Sequence, residues 1–228
     1  MHKTIVVVGT SRGIGKSIVD LLAKEPSNRI LALSRNADEM NRHFSIHKNV
    51  TCYGLDLSGS EVRSKCTEIF SQLESIDILI NNAGKLVNKP FLELTHEDLT
   101  TSYNVNVTGV METTQAVLSK MTKGHIVNIS SMGGFQGSVK FAGLSAYSTS
   151  KAALCSFTEL FAEEFKDSDI AMNCLCLGAA QTEMLEEAFP GYEAPVSAEK
   201  MAEYIVDFAL SANQWIKGKI IPVSLSTP

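Results

Sequence analysis

A chain of 228 residues can bury one sizeable core, and its 44% apolar and 20% charged content is that of an ordinary soluble globular protein, without low-complexity runs or internal repeats. A net charge of -5 leaves no basic surplus to neutralise phosphates, which excludes non-specific nucleic-acid binding. Five cysteines, an odd number without a paired framework, indicate buried thiols in a reducing compartment rather than disulfides.

The opening MHKTIVVVGT reads as a mature cytoplasmic start, because its apolar run is too short to span a membrane and no cleavage site follows. No later stretch is long and apolar enough for a membrane span. The first predicted strand is TIVVV, and GTSRGIG follows it directly and opens a helical pattern. Glycines there permit a tight turn and close approach of a pyrophosphate, whose charge the helix N-terminus meets. The spacing is G-x-x-x-G-x-G, so the placement after the first strand carries more weight than the pattern alone.

The second run, ILAL at 30–33, ends in Ser34, Arg35 and Asn36. NAD-binding proteins usually place an acid here, on the ribose 2′-hydroxyl. A guanidinium and a hydroxyl instead suit a 2′-phosphate, and Arg12 in the glycine turn can reach the same group, so the sequence favours NADP over NAD. His43 and His47 have i,i+4 spacing but no accompanying carboxylate or cysteine cluster, and they are expected on a solvated loop or helix.

Further apolar, β-branched runs follow at 50–54, 76–80, 125–129, 170–177 and 219–223, separated by amphipathic segments. Between the fifth and sixth runs lies YSTSK, with Tyr147 and Lys151 four residues apart at the head of a helix. Positions i and i+4 share a helix face, so the phenol and the ammonium can converge on one point. Leu154, Phe157, Phe161 and Phe165 then repeat at helical spacing as a buried stripe. Cys174 and Cys176 share one face of the sixth strand, where a core position is expected rather than a metal site. Apolar runs without alternation suit strands covered on both faces, so the pattern predicts a doubly wound, mostly parallel seven-stranded sheet with helices on both faces. No linker divides the chain, which is read as one domain over residues 1–228.

The landmarks GTSRGIG, Asp56 in LDLS, NNAG at 81–84, NVNVTG with Asn106, VNISS, YSTSK and LGAAQT occur in order along nearly the whole chain. In this the sequence resembles a single-domain short-chain dehydrogenase/reductase. The resemblance implies a Rossmann-type fold and an NADP(H)-dependent oxidoreductase that reduces a ketone or aldehyde to an alcohol, or the reverse. Its catalytic group would be Asn106, Ser131, Tyr147 and Lys151, with Ser130 as the alternative serine. Tyr147 would donate the proton; an unperturbed phenol has a pKa of about 10, and the Lys151 charge would lower it. Lys151 would also hold the nicotinamide ribose, Ser131 the substrate oxygen, and Asn106 a water that relays protons to Lys151. The cofactor would lie along Gly9, Ser11, Arg12, Gly13, Ile14 and Gly15, then Ser34, Arg35, Asp56 and Leu57. It would continue over Asn82, Ala83 and Gly84 to Tyr147, Lys151, Gly178, Ala180 and Thr182.

Several departures from the family pattern are visible. The segment from Ser131 to Tyr147 is longer than usual and contains Ser138 and Ser145, read as bystanders. Leu177 stands where the family has a proline. The lid, around 183–197, is short and contains Pro190, Gly191 and Pro195, which oppose a long helix, while Glu183, Glu186 and Glu187 make it acidic. The ending SLSTP lacks the family's glycine-rich finish, so a homodimer through the helices near Thr95 and Tyr147 is expected, with a tetramer as the alternative. The partner is expected to be a small carbonyl or alcohol substrate, with no nucleic acid, membrane or metal. A non-catalytic NADP-binding regulator would not need the Asn-Ser-Tyr-Lys set, and an epimerase of the extended branch would carry an acid at Arg35 and a longer C-terminal region.

Overall fold

The computed structural model describes residues 2–225, so the last three residues of the SLSTP ending lie outside the described residues. Seven strands form one parallel sheet: β1 (Thr4–Val8), β2 (Arg29–Ser34), β3 (Val50–Gly54), β4 (Ile78–Asn81), β5 (Lys123–Ser131), β6 (Asp169–Leu177) and, after a short pair, β9 (Ile220–Val223). Their order is β3-β2-β1-β4-β5-β6-β9, so the winding reverses between β1 and β4. The pair β7 (Ala180–Gln181) and β8 (Val196–Ser197) forms a separate two-stranded ribbon.

Alternate residues of one strand feed two cores, which is why the runs are apolar throughout. Ile5 and Val7 pack with Ile18 and Leu22 of α1 (Gly13–Ala23) and Ile205 of α8 (Ala198–Ser211). Val6 and Val8 pack on the other face with Phe70 of α3 (Val62–Ser71) and Val117 of α5 (Gly109–Leu118). The long helix α6 (Ser145–Glu164) carries the predicted stripe: Leu154 and Phe161 are buried, and Phe161 stacks on Phe165 with ring centroids 4.3 Å apart.

The predicted strands are observed with small shifts at their ends. Ile76 is buried but precedes β4, its amide donating to the Lys120 carbonyl instead of a ladder partner. The β7-β8 ribbon was not anticipated, since two-residue strands leave no periodicity to read. Helix α4 (His96–Tyr103) starts with a capping box in which Thr95 and Asp98 exchange side-chain-to-backbone bonds. In the lid, α7 (Glu183–Ala188) spans only six residues and stops before Pro190. Among the described residues, no helix is long and apolar enough to cross a membrane.

Candidate active site

The glycine turn and the NNAG turn meet at the switch point between β1 and β4. Gly9 has a φ of 88°, and a Cβ there would stand 2.5 Å from the Ala83 Cα. A Cβ on Gly15 would stand 1.9 Å from the Gly9 carbonyl oxygen and 2.4 Å from Asn82 Nδ2. Asn82 Nδ2 in turn donates to the Gly9 carbonyl over 2.8 Å. Close backbone approach thus fixes both glycines, and the two turns form one rigid floor. Helix α1 begins here with no side-chain cap and no acidic residue in its first turn, so its leading amides are left for an anion.

A groove of about 720 Å³ runs along this floor over the carboxyl ends of the strands. It is lined by every predicted site residue except Gly15 and Asn106, which stand behind it. The charge-neutralising helix end, the glycine cradle and the extended groove fit a dinucleotide.

At one end of the groove, α6 presents Tyr147 and, one turn later, Lys151. The Lys151 Nζ lies 6.0 Å from the centre of the Tyr147 ring and donates to the Ile129 carbonyl over 2.8 Å. Lys151 is 3% exposed, and burial lowers its pKa to about 8. Burial against the pocket floor pushes the Tyr147 phenol up, and a hydrogen bond with Ser131 pulls it partly back. The expected depression of the phenol by Lys151 is therefore not found. In the cofactor-free site burial sets the direction of the shift, and the Lys151 charge is not among its causes.

Ser131 and Ser130 are distinguished by what they touch. Ser131 lines the groove beside Tyr147 and accepts from the Gly133 amide over 3.1 Å. The buried Ser130 hydroxyl is spent on the Lys151 carbonyl at 2.8 Å. Asn106 sits in a π-turn, Asn104–Thr108, where the Gly109 amide donates to the Asn104 carbonyl. Its Oδ1 accepts from the Lys85 amide at 2.7 Å, and its Nδ2 donates to the Lys85 carbonyl at 3.0 Å and to Ser150 Oγ at 2.8 Å. The amide side chain thus clips the NNAG turn to α6 and is not free to hold a relay water. The role of Ser150, whose hydroxyl also donates to the Tyr147 carbonyl over 2.7 Å, carried no sequence signal.

At the other end, Ser34, Arg35 and Asp56 border the groove. Arg35 makes no ion pair among the described residues, whereas Asp56 accepts from the Ser58 amide and hydroxyl, which hold its carboxyl below the usual range. Arg12 differs from its expected place at a phosphate. Its guanidinium is engaged by Glu187 of α7 through both nitrogens, with Nη2 to Oε2 at 2.9 Å. Glu187 was expected only to make the lid acidic, and no local pattern announces a partner so distant in the chain. Gly178 packs on Ser224, Ala180 begins β7, and the Thr182 hydroxyl caps α7 by accepting from the Leu185 amide.

Two other groups keep the places expected of them but gain partners. His43 and His47 do have a carboxylate neighbour: Asp20 of α1 lies 3.1 Å from His43 Nε2 and 3.6 Å from His47 Nε2. Folding brings α1 beside α2 (Ala37–Phe44), a proximity that local spacing cannot reveal. Cys174 and Cys176 are buried in the core as expected, and Cys155 of α6 joins them with Sγ separations of 3.9 and 3.5 Å. Ser138 is tied into its own loop by bonds to the Met132 and Phe135 carbonyls.

The reversed parallel sheet with a glycine turn at its switch point defines the Rossmann-type class of doubly wound proteins. The short chain dehydrogenase family matches residues 3–193, and the chain belongs to this short-chain dehydrogenase/reductase family. It is 32% identical over 240 residues to the 3-oxoacyl-[acyl-carrier-protein] reductase FabG of Aquifex aeolicus, covering 97% of this chain and 96% of that protein. It is 29% identical over 192 residues to a diacetyl reductase [(S)-acetoin forming] of Staphylococcus epidermidis, covering 81% and 74%. A solved 4-hydroxyisoleucine dehydrogenase complexed with NADH superposes with a TM-score of 0.86 at 25% identity, over 97% of each chain.

Proposed function

We propose that the protein is an NADP(H)-dependent oxidoreductase that interconverts an uncharged ketone or aldehyde and its alcohol. The observation that carries this reading is the convergence of Ser131, Tyr147 and Lys151 at the floor of the groove that also holds the glycine turn. Bound along that groove, the nicotinamide supplies or accepts the hydride. Tyr147 gives the proton to the developing alkoxide, and Ser131 holds the same oxygen by a hydrogen bond. Lys151 orients the nicotinamide ribose, and the positive charge of an oxidised nicotinamide would add to the ammonium's in favouring the phenolate. With its amide committed to Lys85 and Ser150, Asn106 holds the NNAG turn against α6 and so fixes the place of Tyr147 and Lys151. Arg35, with Ser34 and Arg12, receives the 2′-phosphate.

The substrate class rests on the lid and its surroundings. Met132, Val139, Phe141, Met184, Leu185 and Phe189 line the groove beyond Tyr147, while Glu183, Glu186 and Glu187 stand on α7. An apolar chamber under an acidic lid favours uncharged carbonyl compounds, as the name of the diacetyl reductase relative also suggests. The likeness to an acyl-carrier-protein reductase favours a second reading, an oxoacyl thioester substrate. A panel of neutral ketones, aldehydes and oxoacyl thioesters, followed by loss of NADPH absorbance at low and high salt, separates them. Turnover of a neutral carbonyl supports the first reading, and efficient, salt-sensitive turnover of the acidic thioester supports the second.

We also read the chain as one domain with a lid at 183–197, paired as a homodimer through α4 and α6. The exposed Leu99, Tyr103 and Leu160 on those helices support the pairing. Free thiols at all five cysteines are in keeping with a reducing, cytoplasmic compartment.

A further inference from the structure

We propose that Glu187 is a specificity-determining residue that competes with the cofactor's 2′-phosphate for Arg12. Binding of the phosphate then exchanges one ion pair for another and unlatches the lid. The inference rests on the NADP(H) reading of the same groove and deepens it.

Arg12 and Glu187 come from opposite sides of the groove mouth. Arg12 is the residue before α1, and Glu187 sits near the end of α7. Arg12 lines the cofactor groove, whereas Glu187 lines a neighbouring open depression. Glu187 therefore controls where the guanidinium points without occupying the cofactor's own space. The carboxylate takes the end-on fork of the guanidinium through Nη1 and Nη2, which offsets its charge and aims that fork at the lid, so a phosphate must displace Glu187 to take the same fork. The pair is solvent-accessible, with side chains 42% and 62% exposed, so it is weak enough to be exchanged.

Each group has a second partner at hand. A 2′-phosphate carries more charge than a carboxylate and offers more acceptor oxygens. It would also meet Arg35, which makes no ion pair among the described residues. Lys85, which lines the same groove, is the other cation whose charge reaches Glu187. The 2′-hydroxyl of NADH is neutral and cannot displace Glu187, so with that cofactor the latch stays closed. Beyond the Arg12 pair, Asn88 Nδ2 donates to the Ala188 carbonyl at 2.9 Å, so the lid rests on the site through few polar tethers and loses an important one when Arg12 leaves.

The test is direct binding of NADPH and NADH to wild type, Glu187→Gln, Arg12→Gln and the double variant, by calorimetric titration. Glu187→Gln keeps the side chain's shape and should bind NADPH about two- to fivefold more tightly, the span of exposed ion pairs, with NADH unchanged. Adding Glu187→Gln to Arg12→Gln should then change nothing. An equal change for both cofactors would mean that the pair only steadies the lid, and no change or weaker NADPH binding would equally overturn the inference. Hydrogen exchange over 183–189 supplies an independent readout. At saturation it should be faster with NADP⁺ than with NAD⁺ in wild type and equal for the two in Glu187→Gln, and equal rates in wild type would overturn the inference. Wild type that binds NADH more tightly would defeat the NADP(H) reading and this inference together. A clear NADPH preference with an unaltered ratio in Glu187→Gln would defeat the inference alone.

Discussion

Burying Lys151 costs stability, and the cost can be measured. Its folded-state pKa is lowered to about 8 from an ordinary 10.5. At 1.36 kcal/mol per pKa unit, the protonated side chain destabilises the cofactor-free fold by about 3 kcal/mol at neutral pH. The sign follows from proton counts. Between the lowered pKa and the ordinary one, the unfolded chain binds more protons, so stability rises with pH across that window and the penalty is fully present below it. Lys151→Met keeps the length and removes the charge, at the loss of the bond to the Ile129 carbonyl, worth about 1 kcal/mol. The net gain of about 2 kcal/mol should raise Tm by roughly 4–8 °C at pH 7 in a chain of this size. By about pH 10 the remaining penalty is close to 1 kcal/mol and the two proteins should melt together. Activity should be lost in the variant throughout. Scanning calorimetry of both cofactor-free proteins at the two pH values provides the assay. A variant less stable than wild type at pH 7, or a gap that stays constant with pH, would refute the reasoning.

Replacing Ser34 with Asp and Arg35 with Gln should move cofactor preference from NADPH toward NADH by about tenfold to a hundredfold, since charge-assisted contacts are worth roughly 1.5–3 kcal/mol each; kcat/KM for the two cofactors checks it, and a wild-type preference for NADH would show the Arg35 argument to be wrong. Gly15→Ala would place its Cβ 1.9 Å from the Gly9 carbonyl and force the glycine turn off the NNAG turn. We expect about 1–3 kcal/mol of overpacking, read as a lower Tm together with weaker NADPH binding. Unchanged values in both would mean that the two turns part freely.

The fold was largely legible because the strands write themselves as short, mainly apolar runs without alternation, most cleanly in β1. Ile5 to Val8 face two cores at once, so no polar residue interrupts them. Part of the site was legible for a related reason: the glycine turn, Ser34 with Arg35, and NNAG lie directly at the ends of strands, whereas the roles of Asn106, Ser131, Tyr147 and Lys151 came from the family resemblance. What the sequence hid are contacts between segments far apart in the chain. Arg12 with Glu187, Asp20 with the two histidines, and Cys155 with the strand cysteines each need the finished fold to exist. The direction of the Tyr147 shift was hidden too, because it depends on burial rather than on spacing. The commitment of the Asn106 amide to Lys85 and Ser150 likewise appears only when α6 docks on the NNAG turn.

The central claim is that Tyr147 is the proton donor for a carbonyl reduced by NADPH. It is tested most directly by comparing NADPH oxidation by wild type and Tyr147→Phe with one neutral ketone that wild type turns over, alongside NADPH affinity for each. The substitution removes a hydroxyl and almost no volume. The account predicts a fall in kcat of about 10²–10⁴, the usual worth of a general acid, with NADPH affinity nearly unchanged. A variant that turns over at close to the wild-type rate would contradict it.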